Sequence, residues 1–497
     1  MVKKDFDVNQ SKLGIVTLDS NIPSDHISRF VVDFVEEVYD DLGIVEDDKM
    51  TGRASFPVKS MLKLLVYSTI DHVTSSRVIG DMVKFHDVYR YVCDGLCPSD
   101  RTIRRYREKY GAYYDELLKM TLKKARDDKI TDFNHVCIDG TIKKAYNSSN
   151  NVINKKEVQL LIRHFDGMGL SKEEQKKLHK PARKILKRKM KTSDKLELLY
   201  DIETQFTMTG QNTIPVNDIE ARWMKNKKGN MEISYNIQNA FDYDSKLICA
   251  LNVVSSPTDH YELPGIVDKA MENIKCKPEH VSADCCYLNQ ISLTYLNEKD
   301  IDGLIPTRKQ SKQMTNRLSE NKFHKDHFTY IPEKDAFLCP NKQYMYFQKE
   351  YKEQHKDKKI KTKIKRLYSN YSACKNCNLK NKCMPSKTTH RTITDYGDTL
   401  QKAMEIKMEN PENKEEYGKR GGVESGIGVL KIQFHIEQQI VVGQKETEER
   451  LTLNAVAYNL KRLYNIKHQK PNKKEDLEDF CESISAENQL ELNVIIF

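Results

Sequence analysis

Apolar residues are spaced differently in different parts of this chain. Between Pro23 and about residue 130 they recur at helical spacing. Ile27, Val31, Phe34, Val35 and Val38 stand at i, i+4, i+7, i+8 and i+11, one face of a helix. Pro23-Ser24 precedes them, with Ser24 the expected N-cap. Met61, Leu62, Leu65 and Val66 mark a second helix after a linker at 43–57, and shorter helices are expected over 76–84 and 88–93. From residue 131 the pattern changes to short, continuous apolar runs. Two of them, at 135–138 and 280–283, end in an aspartate, Asp139 and Asp284, as buried strands that deliver a carboxylate at the tip would. The alternating stretch NAFDYDSKLICALNVVSS predicts a hairpin with Asp242 and Asp244 at its turn. Helical spacing returns near the end, where Leu453, Val456, Leu460 and Leu463 predict a helix packed on the core. An all-α block followed by a mixed α/β core is the expected architecture.

Charge adds a partner class to this outline. The 497 residues are 31% charged with a formal net charge of +10. That suits a folded protein that neutralises phosphates, and it is less lopsided than a histone-like chain. No apolar run is long enough to span a bilayer, and MVKKDFDVNQ lacks a signal-peptide core, so a cytoplasmic protein with no membrane role is expected. Twelve cysteines are too sparse for a disulfide scaffold. Cys374-x2-Cys377-x5-Cys383, with Cys339 upstream, has spacing that suits tetrahedral zinc, while free buried thiols fit the same residues. His390 is a poorer ligand candidate. Cys285 and Cys286 read as core or loop thiols, because sulfur does not suit a magnesium site.

Three basic segments are candidates for DNA contact. After Cys97-Pro98, a helix carries Ile103, Tyr106 and Tyr110 on one side, with Arg101, Arg104 and Arg105 projecting from another. Residues 150–200 include PARKILKRKMK, and 344–368 mix lysines with Tyr344, Tyr346, Phe347 and Tyr351. A solvated basic surface accounts for each of these equally well on composition alone.

The most specific stretch is YGKRGGVESGIGVLK, Tyr417 to Lys431. As one continuous helix, at ~100° per residue, it would gather Tyr417, Arg420, Glu424 and Lys431 into a sector of about 60°. A buried face seldom carries such charges, because desolvating them unpaired is expensive. The glycines at 421, 422, 426 and 428 weaken a purely structural helix and leave room for another backbone, DNA included. The spacing Y-x2-R-x3-E-x6-K resembles the glutamate signature of DDE-type insertion-sequence transposases. Asp139-Gly140-Thr141, Tyr235-Asn236-Ile237-Gln238 and Asp284 with Tyr287 resemble further motifs of that family.

That resemblance implies a ribonuclease-H-like α/β catalytic core. A helical DNA-binding domain over 1–130 would precede it and recognise terminal inverted repeats. The core would run over 131–307, with a basic insert at 150–200, and resume over 411–465. A cysteine-bearing insertion subdomain, 308–410, would separate Asp284 from Glu424, and 466–497 would form a tail without an assigned role. Asp139, Asp284 and Glu424 would hold two Mg²⁺ (or Mn²⁺) ions for cleavage of DNA and strand transfer. Tyr417, Arg420, Lys431 and Lys143 would contact the DNA strand. His260 would either assist near the metals or order its loop. The protein would act on double-stranded DNA, as a homodimer or larger, and be nucleoid-associated when bound. Two alternatives stay open: a non-catalytic DNA-binding repressor, and a metal-dependent nuclease without strand transfer.

Overall fold

The computed structural model describes residues 17–46, 55–226, 228–317, 319–353, 363–395, 399–418, 420–436 and 441–468. The tail role and the sequence beyond 468 lie outside them. The chain divides into two compact units, Met1–Asp128 with Glu449–Phe497, and Lys129–Glu448.

The first unit is helical, with Ile27–Val38, Val58–Ile70, Ser76–Phe85, Asp87–Val92, Asp100–Tyr110 and Tyr114–Asp127. Val58–Ile70 is buried along nearly its whole length, so it lies inside the helix packing. Its Lys63 is 2% exposed and survives there because its ammonium meets Glu36 Oε1 at 2.8 Å and Asp94 Oδ1 at 2.7 Å. The first helix is capped by His26, whose Nδ1 accepts from the Ser28 amide, and not by Ser24. Ser99 does cap Asp100–Tyr110, accepting from the Thr102 amide at 3.2 Å.

The apolar stripe of the last helix, Gln444–Lys467, is buried as its spacing predicts, but its packing partners differ from expectation. From Glu449 onward it belongs with the N-terminal helices and not with the core. Asn459 Nδ2 donates to Thr121 Oγ1 at 3.0 Å, the Tyr464 hydroxyl donates to the Asp25 carbonyl, and the rings of Tyr464 and Phe30 lie 5.9 Å apart. Spacing shows which face is apolar and leaves open which neighbour covers it.

Among the described residues of the second unit up to 307 there are eight strands: β1 (His135–Lys144), β2 (Val152–Asn154), β3 (Thr213–Pro215), β4 (Arg222–Lys225), β5 (Met231–Asp242), β6 (Ile248–Val254), β7 (His280–Ala283) and β8 (Asp302–Leu304). β1 lies at the centre of a six-stranded sheet. One edge pairs antiparallel with β5, whose other edge carries β4 and β6; the opposite edge of β1 pairs in parallel with β7, and β7 with β8. β2 and β3 form a separate pair that frames the helices of the basic insert. Those helices close over Val158, Leu161, Ile185, Leu199 and Ile202, so the insert has its own apolar core beneath its lysines. Residues 308–410 include β9 (Thr329–Ile331), β10 (Ala336–Leu338), β11 (Tyr344–Glu353), β12 (Lys363–Ser369) and β13 (Thr392–Asp395), an antiparallel sheet in the order β13-β12-β11-β10-β9.

Tyr417–Lys431 is not one helix. Pro411–Gly418 ends, Arg420 occupies the junction, and Gly421–Ile432 begins. Gly426 does leave room for a visitor, but the visitor is the sheet: a Cβ there would stand 2.8 Å from the Phe241 ring of β5. Gly428 faces open space. Gly428→Ala should therefore raise the denaturation midpoint, by about 1 kcal/mol of helix propensity. Gly426→Ala should lower it, because overpacking costs roughly 1–3 kcal/mol. Equal shifts for the two variants in urea unfolding would contradict the packing described.

Candidate active site

The sheet register creates the site. β1 and β7 run parallel with Ile138 opposite Ala283, so the next residue on each, Asp139 and Asp284, leaves the pair at the same level. Neighbouring strands lie about 4.8 Å apart, so the two carboxylates start from adjacent positions. Asp139 Oδ1 accepts the Gly140 amide at 3.1 Å, and Asp284 Oδ1 accepts the Cys286 amide at 2.8 Å. Burial raises the pKa of Asp284 above the ordinary carboxylate value, opposed by the Cys286 bond and by the Arg420 charge, while Asp259 adds to the rise.

Arg420 meets these carboxylates from the helix junction. It is 7% exposed, and its Nη2 lies 3.2 Å from Asp139 Oδ1 and donates to the Ile138 carbonyl at 3.1 Å. Burial alone would depress its pKa, but Tyr417, Asp139 and Asp284 outweigh burial and the net shift is upward. The Tyr417 ring centroid lies 5.9 Å from the guanidinium carbon, and burial pushes the phenol up to about 12, so it is neutral at physiological pH.

Two expected DNA contacts are turned inward. Arg420 is engaged with a carboxylate and a carbonyl, because the helix break aims it at β1. Lys143 is 1% exposed, since the alternation of β1 points it into the protein, opposite Tyr235. Lys431 is half-buried in the last turn of Gly421–Ile432. Glu424 lies in that helix, but its side chain falls outside the described residues. In the first unit Arg101, Arg104 and Arg105 are exposed while Ile103 and Tyr110 are buried, which is the division their spacing predicts.

Asn236, Gln238 and Asp259 also belong to this region, and no role was expected for any of them. Both amides, spaced i, i+2 on one face of β5, donate to Asp259 Oδ1 at 2.7 Å. Two buried amides two residues apart in an apolar strand were the available signal, because such groups require a partner.

The four cysteines Cys339, Cys374, Cys377 and Cys383 line a single cavity of about 30 Å³ beside the β9–β13 sheet. The Gln343 amide donates to Cys339 Sγ at 3.4 Å, and Asn341 Nδ2 to Cys377 Sγ at 3.5 Å. Among the described residues no group of three or more His, Cys, Asp and Glu side chains stands close enough to hold a metal ion.

The Arg420–Asp139 pair can be tested without any assay of function. A double-mutant cycle with Asp139→Asn and Arg420→Gln should return a coupling energy of roughly 1–2 kcal/mol in equilibrium unfolding. Strict additivity would mean that the pair does not form.

With this geometry in hand, two family models match the chain. A transposase DDE domain matches residues 338–464, and a transposase domain (DUF772) matches residues 16–109. The stretch between the matches carries Asp139 and Asp284. No curated protein matches the chain. Among the described residues no helix is long and apolar enough to cross a membrane. Transposase models thus match towards both ends of the chain, and the two matches support an insertion-sequence DDE transposase.

Proposed function

We propose that this transposase cleaves DNA at terminal inverted repeats and joins the ends to target DNA, using Asp139, Asp284 and Glu424. The observation that carries this reading is the parallel register, which sets two aspartates side by side and brings the segment holding Glu424 to the same strand through Arg420. The strand order, with β5 antiparallel and β7 and β8 parallel to β1, supports a ribonuclease-H-like core, and the β9–β13 sheet supports an insertion between Asp284 and Glu424.

Carboxylate oxygens are hard donors and fit divalent magnesium or manganese; Asp139 offers them from within β1 and Asp284 from just past the end of β7. When bound, a pair of such ions would activate water or a 3′-hydroxyl and stabilise the leaving oxygen. The chain's own contribution is orientation: the Gly140 and Cys286 amides fix one oxygen of each aspartate. Arg420 pairs with Asp139, and its charge opposes the rise that burial gives the Asp284 pKa. Tyr417 shields that cation from water. Arg101, Arg104 and Arg105 would grip phosphates, and Lys431 would meet the strand near the helix end. Bringing two DNA ends together calls for at least a homodimer.

The cysteine cavity supports structural zinc in the inserted subdomain. It is large enough for one ion, and N–H donors already face two of the sulfurs, as in sites that stabilise thiolates. The sulfurs would have to draw together around the metal.

Purified protein should cleave an oligonucleotide bearing its element's end only with Mg²⁺ or Mn²⁺. Asp139→Asn, Asp284→Asn and Glu424→Gln should each lose about 10²-fold or more of that rate. Wild-type cleavage by any of the three would remove that residue from the mechanism. A repressor would bind the same DNA and leave it intact, and a simple nuclease would not join a pre-cut 3′-hydroxyl end. Replacing Arg101, Arg104 and Arg105 with alanine should flatten the salt dependence of binding by a slope of about 1 for each phosphate that is no longer neutralised. Roughly one zinc per chain is expected by elemental analysis, falling in Cys374→Ser/Cys377→Ser. Metal-free wild type would leave the thiols as simple core residues.

A further inference from the structure

We propose that Asp259 is a positioning residue for Asp284, acting through a buried chain of side chains that clamps the loop carrying it. The inference rests on the reading of Asp284 as catalytic.

Asp259 opens the short turn Asp259–Tyr261 ahead of the helix Leu263–Ile274. Its Oδ1 accepts from both Asn236 Nδ2 and Gln238 Nε2, whose residues are 2% and 0% exposed. Gln238 sits opposite Gly140 across the β1–β5 pair, and the carboxylate occupies the space a side chain at 140 would fill. A Cβ there would lie 2.5 Å from Asp259 Oδ1. Glycine after Asp139 is thus a requirement for seating Asp259, and Ala at that position would evict it.

From Gln238 the chain continues to the Asp284 loop. The Tyr287 hydroxyl, fully buried, donates to Gln238 Oε1, which obliges the amide to turn its Nε2 toward Asp259. His260, next to Asp259, meets the Cys286 carbonyl through Nδ1 at 3.1 Å. Asn289 Nδ2 donates to the carbonyls of His260 and Tyr287, while its Oδ1 caps the helix Gln290–Glu298. The 284–289 segment is therefore fastened to the 259–260 turn and to β5 at three points. Cys286, whose amide binds Asp284 Oδ1, is itself the first of those points. A neutral group at 259 keeps the shape and loses the charge that orients two buried donors.

The test uses the full-length chain and Asp259→Asn, with Tyr287→Phe as a second variant that cuts a different link and leaves the carboxylate in place. Hydrogen exchange across 284–289 should speed up at least about 10-fold in both, with the thermal midpoint of the rest of the chain held. The Mg²⁺ concentration for half-maximal cleavage should rise by a similar factor. Exchange at the wild-type rate in both variants would overturn the clamp. So would faster exchange with an unchanged Mg²⁺ requirement, since the loop would then be ordered without serving Asp284. Restored exchange and Mg²⁺ requirement in Asn236→Asp/Asp259→Asn, where donor and acceptor trade places, would support it. Failure of the wild type to cleave at all would count against the transposase reading, while the exchange measurement still decides the clamp.

Discussion

A guanidinium taken out of water must find anions and carbonyls where it is buried, and the position of Arg420 follows from that constraint. The groups that satisfy it are the Ile138 carbonyl and the Asp139 carboxylate, both on the central strand of the sheet. Docking Gly421–Ile432 anywhere else would strand the charge. One residue at a helix junction thus sets how the C-terminal part of the core meets strands laid down far earlier in the sequence. The same cation pairs with Asp139 and opposes the upward shift that burial gives Asp284, so packing and local electrostatics share a single side chain.

The parts of this fold that were legible are those where local pattern and tertiary role coincide. A short apolar run ending in aspartate predicts a buried strand, and both runs are strands; Asp284 follows the end of its strand as expected, whereas β1 runs on to Lys144 and holds Asp139 within it. The N-terminal helices follow their periodicity, although the first is capped by His26 and not by Ser24. What failed depended on direction. Treating 417–431 as a single helix placed Arg420 on a DNA-facing stripe, whereas a break at the junction turns it inward. Lys143 reads as a phosphate ligand from its place just after Asp139-Gly140-Thr141, yet it is buried; lysines seldom are, and nothing in a strand's own pattern announces the exception. The last helix displayed its apolar face plainly but not the partner that covers it, because adjacency in sequence is a poor guide to long-range packing.

Two basic segments solve a common problem in the same way. Residues 150–200 and 308–410 are basic enough to read as featureless solvated segments, yet each carries buried residues sufficient for a core of its own. In the second, Asp335 anchors the sheet by accepting from Arg366 at 2.7 Å and from the hydroxyls of Tyr330 and Tyr368. Lysine-rich composition therefore describes the skin of these elements and says little about whether they fold.

The helical unit is assembled from two pieces of chain, Met1–Asp128 and the stretch from Glu449 onward, with Lys129–Glu448 intervening. During synthesis its opening helices leave the ribosome long before the segment bearing Asn459 and Tyr464 exists to complete them. That unit reaches its finished form only once translation has passed residues 129–448. A nascent polypeptide that stalls midway would expose the apolar groove meant for Leu453, Val456 and Leu460, a surface that chaperones and proteases recognise.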